Sequence, residues 1–177
     1  IFGKTEKGVQ EAAKGTDPLI EEAKKYKSLE EFVKAQQYKS NLIGYHGTSP
    51  ESASSIERGG FYHMKDGNVY FATNKDVTEH YGSSIIQRDL SGLKLLDDFS
   101  QEAKTLRAKA GMESDAYGFM NKEFRKLLDE AGYDGIKTPT SNTNADILVF
   151  DNTKINKLHN DQISQLTDIW NKAHNKK

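Results

Sequence analysis

Cysteine is absent from the sequence. That excludes disulfides, thiolate nucleophiles and Cys-ligated zinc together, and it leaves the compartment open. Long apolar runs are missing as well. None approaches the roughly 20 residues needed to span a bilayer, so no membrane partner is expected. Charge of one sign is also lacking: 25 Lys and Arg stand against 26 Asp and Glu, a formal net charge of -1. No global field therefore draws in nucleic acid or anionic lipid, although a local basic patch is not excluded. There is no internal repeat, no Gly-x-Gly-x-x-Gly and no Gly-Lys-Ser/Thr run, so a dinucleotide, if bound, is not held in the Rossmann manner. The chain opens Ile1-Phe2-Gly3-Lys4 with neither an initiator Met nor a signal-peptide pattern, which predicts a piece of a longer polypeptide.

What is present fits one well-solvated domain with a proper core: 177 residues, 35% hydrophobic and 29% charged. A helical N-terminal extension is expected over 1–40 and the main domain over 41–177. Residues 4–16 are helix-prone, Asp17-Pro18 starts a helix running to Tyr26, and Ser28 with Glu31 forms a capping box. Asn41 to Thr48 reads as a strand. Ser49-Pro50 then opens a helix that stops at Gly59-Gly60. Asp66-Gly67-Asn68 turns into a strand at Val69–Ala72, and Thr73 or Asn74 caps a helix through Tyr81. Ser84–Leu90 and Gly92–Leu96 read as strands, Phe99–Ala110 and Asp115–Ala131 as helices. A short strand at Ile136, another at Ile147–Phe150 and a helix over Asp161–Ala173 complete the chain. Strands interrupted by helices of irregular length indicate α+β.

The stretch from Tyr45 to Tyr81 organises the rest. His46 beside Gly47 at a strand end, followed by Tyr70 and Tyr81, builds a slot for a flat aromatic ligand. Taken singly, each residue has a plainer reading: a strand-end histidine, a core tyrosine, a solvated threonine at Thr78. His63 and His80 read as surface or loop residues, with no spacing that links them to a carboxylate as metal ligands.

Tyr45-His46-Gly47-Thr48, Val69-Tyr70-Phe71-Ala72, Thr78 with Tyr81, and Asp146-Ile147-Leu148-Val149-Phe150-Asp151 together resemble ADP-ribosyltransferases of the His-Tyr-Glu group. That group includes diphtheria toxin and the poly(ADP-ribose) polymerases. The chain looks closer still to ADP-ribosyltransferase-like domains inside phage and mobile-element polyproteins. Those carry Gly-Tyr-Asp-Gly-Ile before a final strand, as Gly132-Tyr133-Asp134-Gly135-Ile136 stands here. The resemblance covers roughly residues 42–158.

It implies a split β-sheet core with an NAD cleft between two small sheets; the N-terminal helices, outside the resemblance, read as a lid or flank packed on that core or equally as a linker from the parent protein. It implies that His46 bonds a ribose hydroxyl of NAD, that the Gly47 backbone and Thr78 meet the nicotinamide carboxamide, and that Thr48 belongs to the NAD-binding set. Tyr70 and Tyr81 would sandwich the nicotinamide ring, and Asp146 would stand in for the catalytic glutamate. The implied activity is mono-ADP-ribosyl transfer from NAD, without a metal, to a macromolecule, a protein ahead of a nucleic acid. A phage or bacterial toxin or effector acting in the cytoplasm of a target cell is the implied origin. The alternatives are an NAD glycohydrolase, or a weak or inactive NAD-binding or interaction module.

The chemistry is consistent with that assignment. Breaking the nicotinamide–ribose bond develops positive charge on the sugar, which a carboxylate in a water-poor slot stabilises. Aspartate departs from the family pattern, because a carboxylate one methylene shorter sits about 1.5 Å further back and a misplacement near ~1 Å can cost about a hundredfold in rate. Three readings stay open: a site adapted to aspartate, a slow glycohydrolase or binder, and a Glu→Asp change that disables a toxic enzyme. Asp151 reads as a cap closing the strand. The Lys137–Ala145 loop would border the acceptor side, and its threonines and asparagines specify no acceptor.

Overall fold

The computed structural model describes residues 17–37, 39–62 and 67–175. Polar side chains that accept from first-turn N–H groups start the helices. Asp17 opens α1 (Pro18–Ala23), Ser49 opens α3 (Pro50–Gly59), and Asn74 opens α4 (Lys75–Thr78). Ser100, Asn121 and Asp151 do the same for α5 (Gln101–Lys109), α6 (Lys122–Glu130) and α7 (Asn152–Ala173). Each such cap contributes about 0.5–2 kcal/mol. At α2 (Leu29–Gln37) the capping box is half made: Ser28 accepts from the Glu31 N–H, while Glu31 reaches back to the N–H of Lys27 rather than Ser28. Gly60 ends α3 at φ 90°, a conformation that suits glycine.

The strands are β1 (Ile43–Thr48), β2 (Val69–Ala72), β3 (Ser84–Asp89), β4 (Leu95–Asp97), β5 (Gly135–Pro139) and β6 (Ala145–Val149). They form a six-stranded open sheet in the order β3-β1-β2-β6-β5-β4, antiparallel except for the β4–β5 pair. With seven α-helices among the described residues, the fold is mixed α+β. The expected pair of small sheets is instead one hydrogen-bonded series with a narrow seam. β1 pairs with β3 along its whole length, whereas β1 and β2 share the single pair Tyr45–Ala72.

Side-chain alternation sends the sheet's residues to two cores. Val69, Phe71, Ile86, Ile147 and Val149 pack on one face under Ile56 of α3 and Ile155 of α7. Leu96, Ile136 and Leu148 pack on the other, under Ala103 of α5 and Phe124 and Leu128 of α6. This second layer stops short of β2. Tyr70 lies opposite Leu148 and shares its face, yet is 61% exposed. The site occupies the stretch of sheet so left open. A third cluster joins the N-terminal helices to the far half of α7 through Ala23, Phe32, Trp170 and Ala173.

Several sequence expectations are corrected. The helix expected over Asp115–Ala131 begins only at Lys122, because Gly118 takes φ 76° and Asn121 caps the Phe124 N–H. Tyr117 and Met120 therefore lie in a loop. The strand expected over Gly92–Leu96 is Leu95–Asp97, and the last helix starts at Asn152 rather than Asp161. The helix expected to run through Tyr81 ends at Thr78 and tightens into a 3-10 turn, Glu79–Tyr81. The helix expected over 4–16, His63, and Asp66 of the turn signal lie outside the described residues.

Candidate functional site

One row of residues crosses the sheet in register: Gln87, Tyr45, Ala72, Asp146 and Thr138. Residues directly opposite share a face, so Tyr45 and Asp146 flank the small side chain of Ala72. The period of two adds Gly47 and Tyr70 to the same face. Small residues between large ones leave a hollow here. It measures about 310 Å³ and is lined by Tyr45, His46, Gly47, Tyr70, Phe71, Ala72, Val77, Thr78, Tyr81 and Asp146.

Helix α4 forms one wall. Any side chain at Gly47 would collide with the main-chain oxygen of Thr78, so glycine lets the turn seat directly on β1. Thr78 is 3% exposed and donates its hydroxyl proton to the Lys75 carbonyl at 2.6 Å. Its oxygen lone pairs remain able to accept. Tyr81, 75% exposed, follows in the 3-10 turn. Tyr70 and Tyr81 thus reach one hollow from different elements, both with faces open to a ligand.

His46 and Phe71 belong by alternation to the opposite face, and they meet the hollow at the β1–β2 seam. The His46 ring packs edge-on against Phe61 and Phe71, with centroids 5.2 and 5.9 Å away. Its Nδ1 lies 2.8 Å from the Tyr70 carbonyl oxygen. A carbonyl only accepts, so Nδ1 carries the proton, and Nε2 of the neutral ring is an acceptor. Phe61 is itself held by two asparagines of α7: Asn152 and Asn156 donate to its carbonyl, and Asn156 also accepts from its N–H.

Asp146 stands exposed on β6, two residues after the buried Asn144, whose amide donates to it at 3.1 Å. Six of the seven residues singled out from the sequence line the hollow: His46, Gly47, Tyr70, Thr78, Tyr81 and Asp146. Thr48 does not. It pairs with Ser84 at the end of β1, and its main chain abuts Gly82. Asp151 caps α7, and His80 is exposed in the 3-10 turn.

Sequence reasoning passed over Tyr45 and Asn144 as site residues. Tyr45 lines the hollow and two neighbouring cavities of about 500 and 1220 Å³. Its place in Tyr-His-Gly-Thr, one residue before the singled-out histidine, was the available signal. The 500 Å³ cavity is bordered by the Lys137–Ala145 segment, including Ser141, Asn142, Thr143 and Asn144. Among the described residues no group of three or more His, Asp or Glu side chains is arranged to hold a metal ion, and no helix is long and apolar enough to cross a membrane. No protein-family model matches the chain, and no curated protein matches it in sequence.

Proposed function

We propose that the domain binds NAD with its nicotinamide end in the hollow between Tyr70, Tyr81 and Asp146 and transfers ADP-ribose to a macromolecular acceptor, a protein ahead of a nucleic acid. The observation that carries this reading is the convergence of four sequence-distant motifs on one cavity of about 310 Å³. That volume lies at the small end of the roughly 300–1,000 Å³ range of ligand pockets. It suits one flat ring and leaves the remainder of a dinucleotide to extend past Tyr45.

In the proposed reaction the bond between the ribose C1′ and the nicotinamide nitrogen breaks, and its electron pair leaves with the ring. The sugar becomes oxocarbenium-like, and the Asp146 carboxylate stabilises that charge. An acceptor nucleophile then bonds to C1′ and releases its proton. His46 Nε2 accepts from a ribose hydroxyl, and the Gly47 backbone together with the Thr78 oxygen orients the carboxamide. The two tyrosine faces hold the leaving ring, each stacking contact contributing about 0.5–1.5 kcal/mol beyond burial. Chain elongation to poly(ADP-ribose) is not part of this reading, because the resemblance ties it to the glutamate that Asp146 replaces.

A second reading rests on the exposure of Asp146. Water can reach the carboxylate side of the slot, so NAD hydrolysis accompanies or replaces transfer. The test is nicotinamide release from NAD by the purified domain, alone and with a cell lysate. Release only with lysate indicates a transferase whose labelled acceptor can be isolated; release without it indicates a glycohydrolase. Asp146→Asn should lower release by about 10²–10³-fold, as expected for loss of a transition-state charge partner. Asp146→Glu lowers activity if the site is adapted to aspartate and raises it if aspartate disables the enzyme. Failure to release nicotinamide under both conditions, with any Asp146 variant, overturns the enzymatic reading.

A further inference from the structure

Asn144 is 7% exposed and sits in the loop between β5 and β6. Its side chain is bonded through its oxygen and both amide protons. The Oδ1 oxygen accepts from the main-chain N–H of Asn74 at 3.0 Å. The Nδ2 group donates to the Thr140 hydroxyl at 2.8 Å and to an Asp146 carboxylate oxygen at 3.1 Å. The Asn74 N–H fixes which way the amide points, since only oxygen can face a donor. The two remaining amide protons must then face Thr140 and Asp146. Around it the chain is tied tightly: the Asn144 N–H donates to the Ser141 hydroxyl, and its carbonyl accepts from the N–H groups of Thr140 and Ser141.

Asn74 is the N-cap of α4, the helix that carries Thr78. Asp146 is on β6, at the other side of the hollow. One buried amide therefore bridges the two walls of the site. A buried amide bonded through its oxygen and both protons has a single arrangement, because each alternative leaves a polar group unpaired.

We infer that Asn144 is a positioning residue: it orients the Asp146 carboxylate and couples it to the α4 wall. The catalytic consequence rests on the ADP-ribosyl reading; the positioning itself does not. Asp146 lies on an exposed strand position, and Asn144 is what limits its side-chain rotation. A shorter acid in place of glutamate has less reach, so its direction matters more.

Two substitutions separate positioning from structural support. Asn144→Ala removes every side-chain bond. Asn144→Asp keeps an oxygen for the Asn74 N–H but loses the donor and sets a carboxylate beside a carboxylate. In steady-state nicotinamide release, both should lower kcat by about 10- to 100-fold with KM for NAD within about twofold, the pattern of an interaction used only in the transition state. If Asn144→Asp keeps wild-type kcat, the bridge serves only the α4 cap and the inference is overturned.

The second readout needs no activity. In 1H–15N spectra of the full chain, the Asn144 side-chain amide should shift and exchange faster in Asp146→Ala, while the Asn74 backbone amide stays in place. An Asn144 amide indifferent to Asp146→Ala overturns the positioning. If neither the wild type nor any Asp146 variant releases nicotinamide, yet the Asn144 amide shifts in Asp146→Ala, the ADP-ribosyl reading alone is overturned.

Discussion

The imidazole of His46 and the main-chain oxygen of Tyr70 are 2.8 Å apart, and this bond stands where a β1–β2 ladder bond would otherwise lie. Past the single pair Tyr45–Ala72, a side chain rather than a backbone N–H crosses the seam. The sheet thereby stays joined while a ligand-sized gap opens beside it. His46→Ala should destabilise the fold by about 1 kcal/mol, chiefly through lost packing on Phe61 and Phe71, since water can replace the imidazole at the exposed carbonyl. Urea denaturation checks this as a lower midpoint with an unchanged slope.

Tyr81 offers the opposite case. At 75% exposure its ring contributes little to folding, so Tyr81→Ala should leave stability within about 0.5 kcal/mol. NAD affinity should weaken by about two- to twelvefold, the equivalent of one stacking contact. Isothermal titration with NAD, alongside a melting curve, reads both effects. A large drop in stability with unchanged affinity would make Tyr81 a packing residue.

How much of this was legible follows from the range of the interactions. The face shared by Tyr45, Gly47, Tyr70 and Asp146 comes from alternation within strands, and caps such as Ser49, Asn74 and Asp151 are local. Both kinds of signal are contained in a few consecutive residues. The loop 115–121 reads as helix because Tyr117, Met120 and Phe124 fall near helical spacing. A distant group competes for it: buried Asp98 accepts from the Gly118 N–H, and Arg107 donates to the Ser114 carbonyl. Asn144 was hidden for the same reason, since its partner Asn74 is remote in sequence. The pairing of β1 with β2 through one residue pair likewise has no local signature.

The Arg107–Asp98 ion pair is fully enclosed, and Asp98 also accepts from the Thr138 hydroxyl, in the strand beside Asp146. Burial pushes the Arg107 pKa down, with the Tyr117 and Asp115 side chains opposing it. Arg107→Leu should cost about 3–5 kcal/mol, because it strands a buried carboxylate. Adding Asp98→Asn should recover part of that loss. A double-mutant cycle measured by urea denaturation gives the coupling directly; purely additive losses would contradict it.

His159 on α7 has a buried Nδ1 without a hydrogen-bond partner among the described residues. Burial first, and the nearby Arg88 guanidinium second, push its pKa below the ordinary 6.5, with Glu57 opposing. The unfolded chain then takes up a proton that the folded chain refuses. Its contribution to stability is therefore held above about pH 6.5 and lost as pH falls through the folded value. Between pH 7.5 and 5.5 the urea midpoint of the wild type should fall further than that of His159→Leu. Parallel curves for the two proteins would rule this histidine out as the cause.

Phe32 of α2 and Trp170 of α7 lie with ring centroids 6.0 Å apart, although they come from near opposite ends of the described chain. Closing so long a loop is entropically unfavourable until other contacts have shortened it. A chain growing from its N-terminus carries Phe32 long before Trp170 is added. The N-terminal helices thus wait, with Phe32 uncovered, until the last turns of α7 arrive to receive them. Docking of α1 and α2 depends on the last turns of α7, and a chain cut short before Trp170 should leave Phe32 uncovered while the cleft beside Asp146 keeps its own packing.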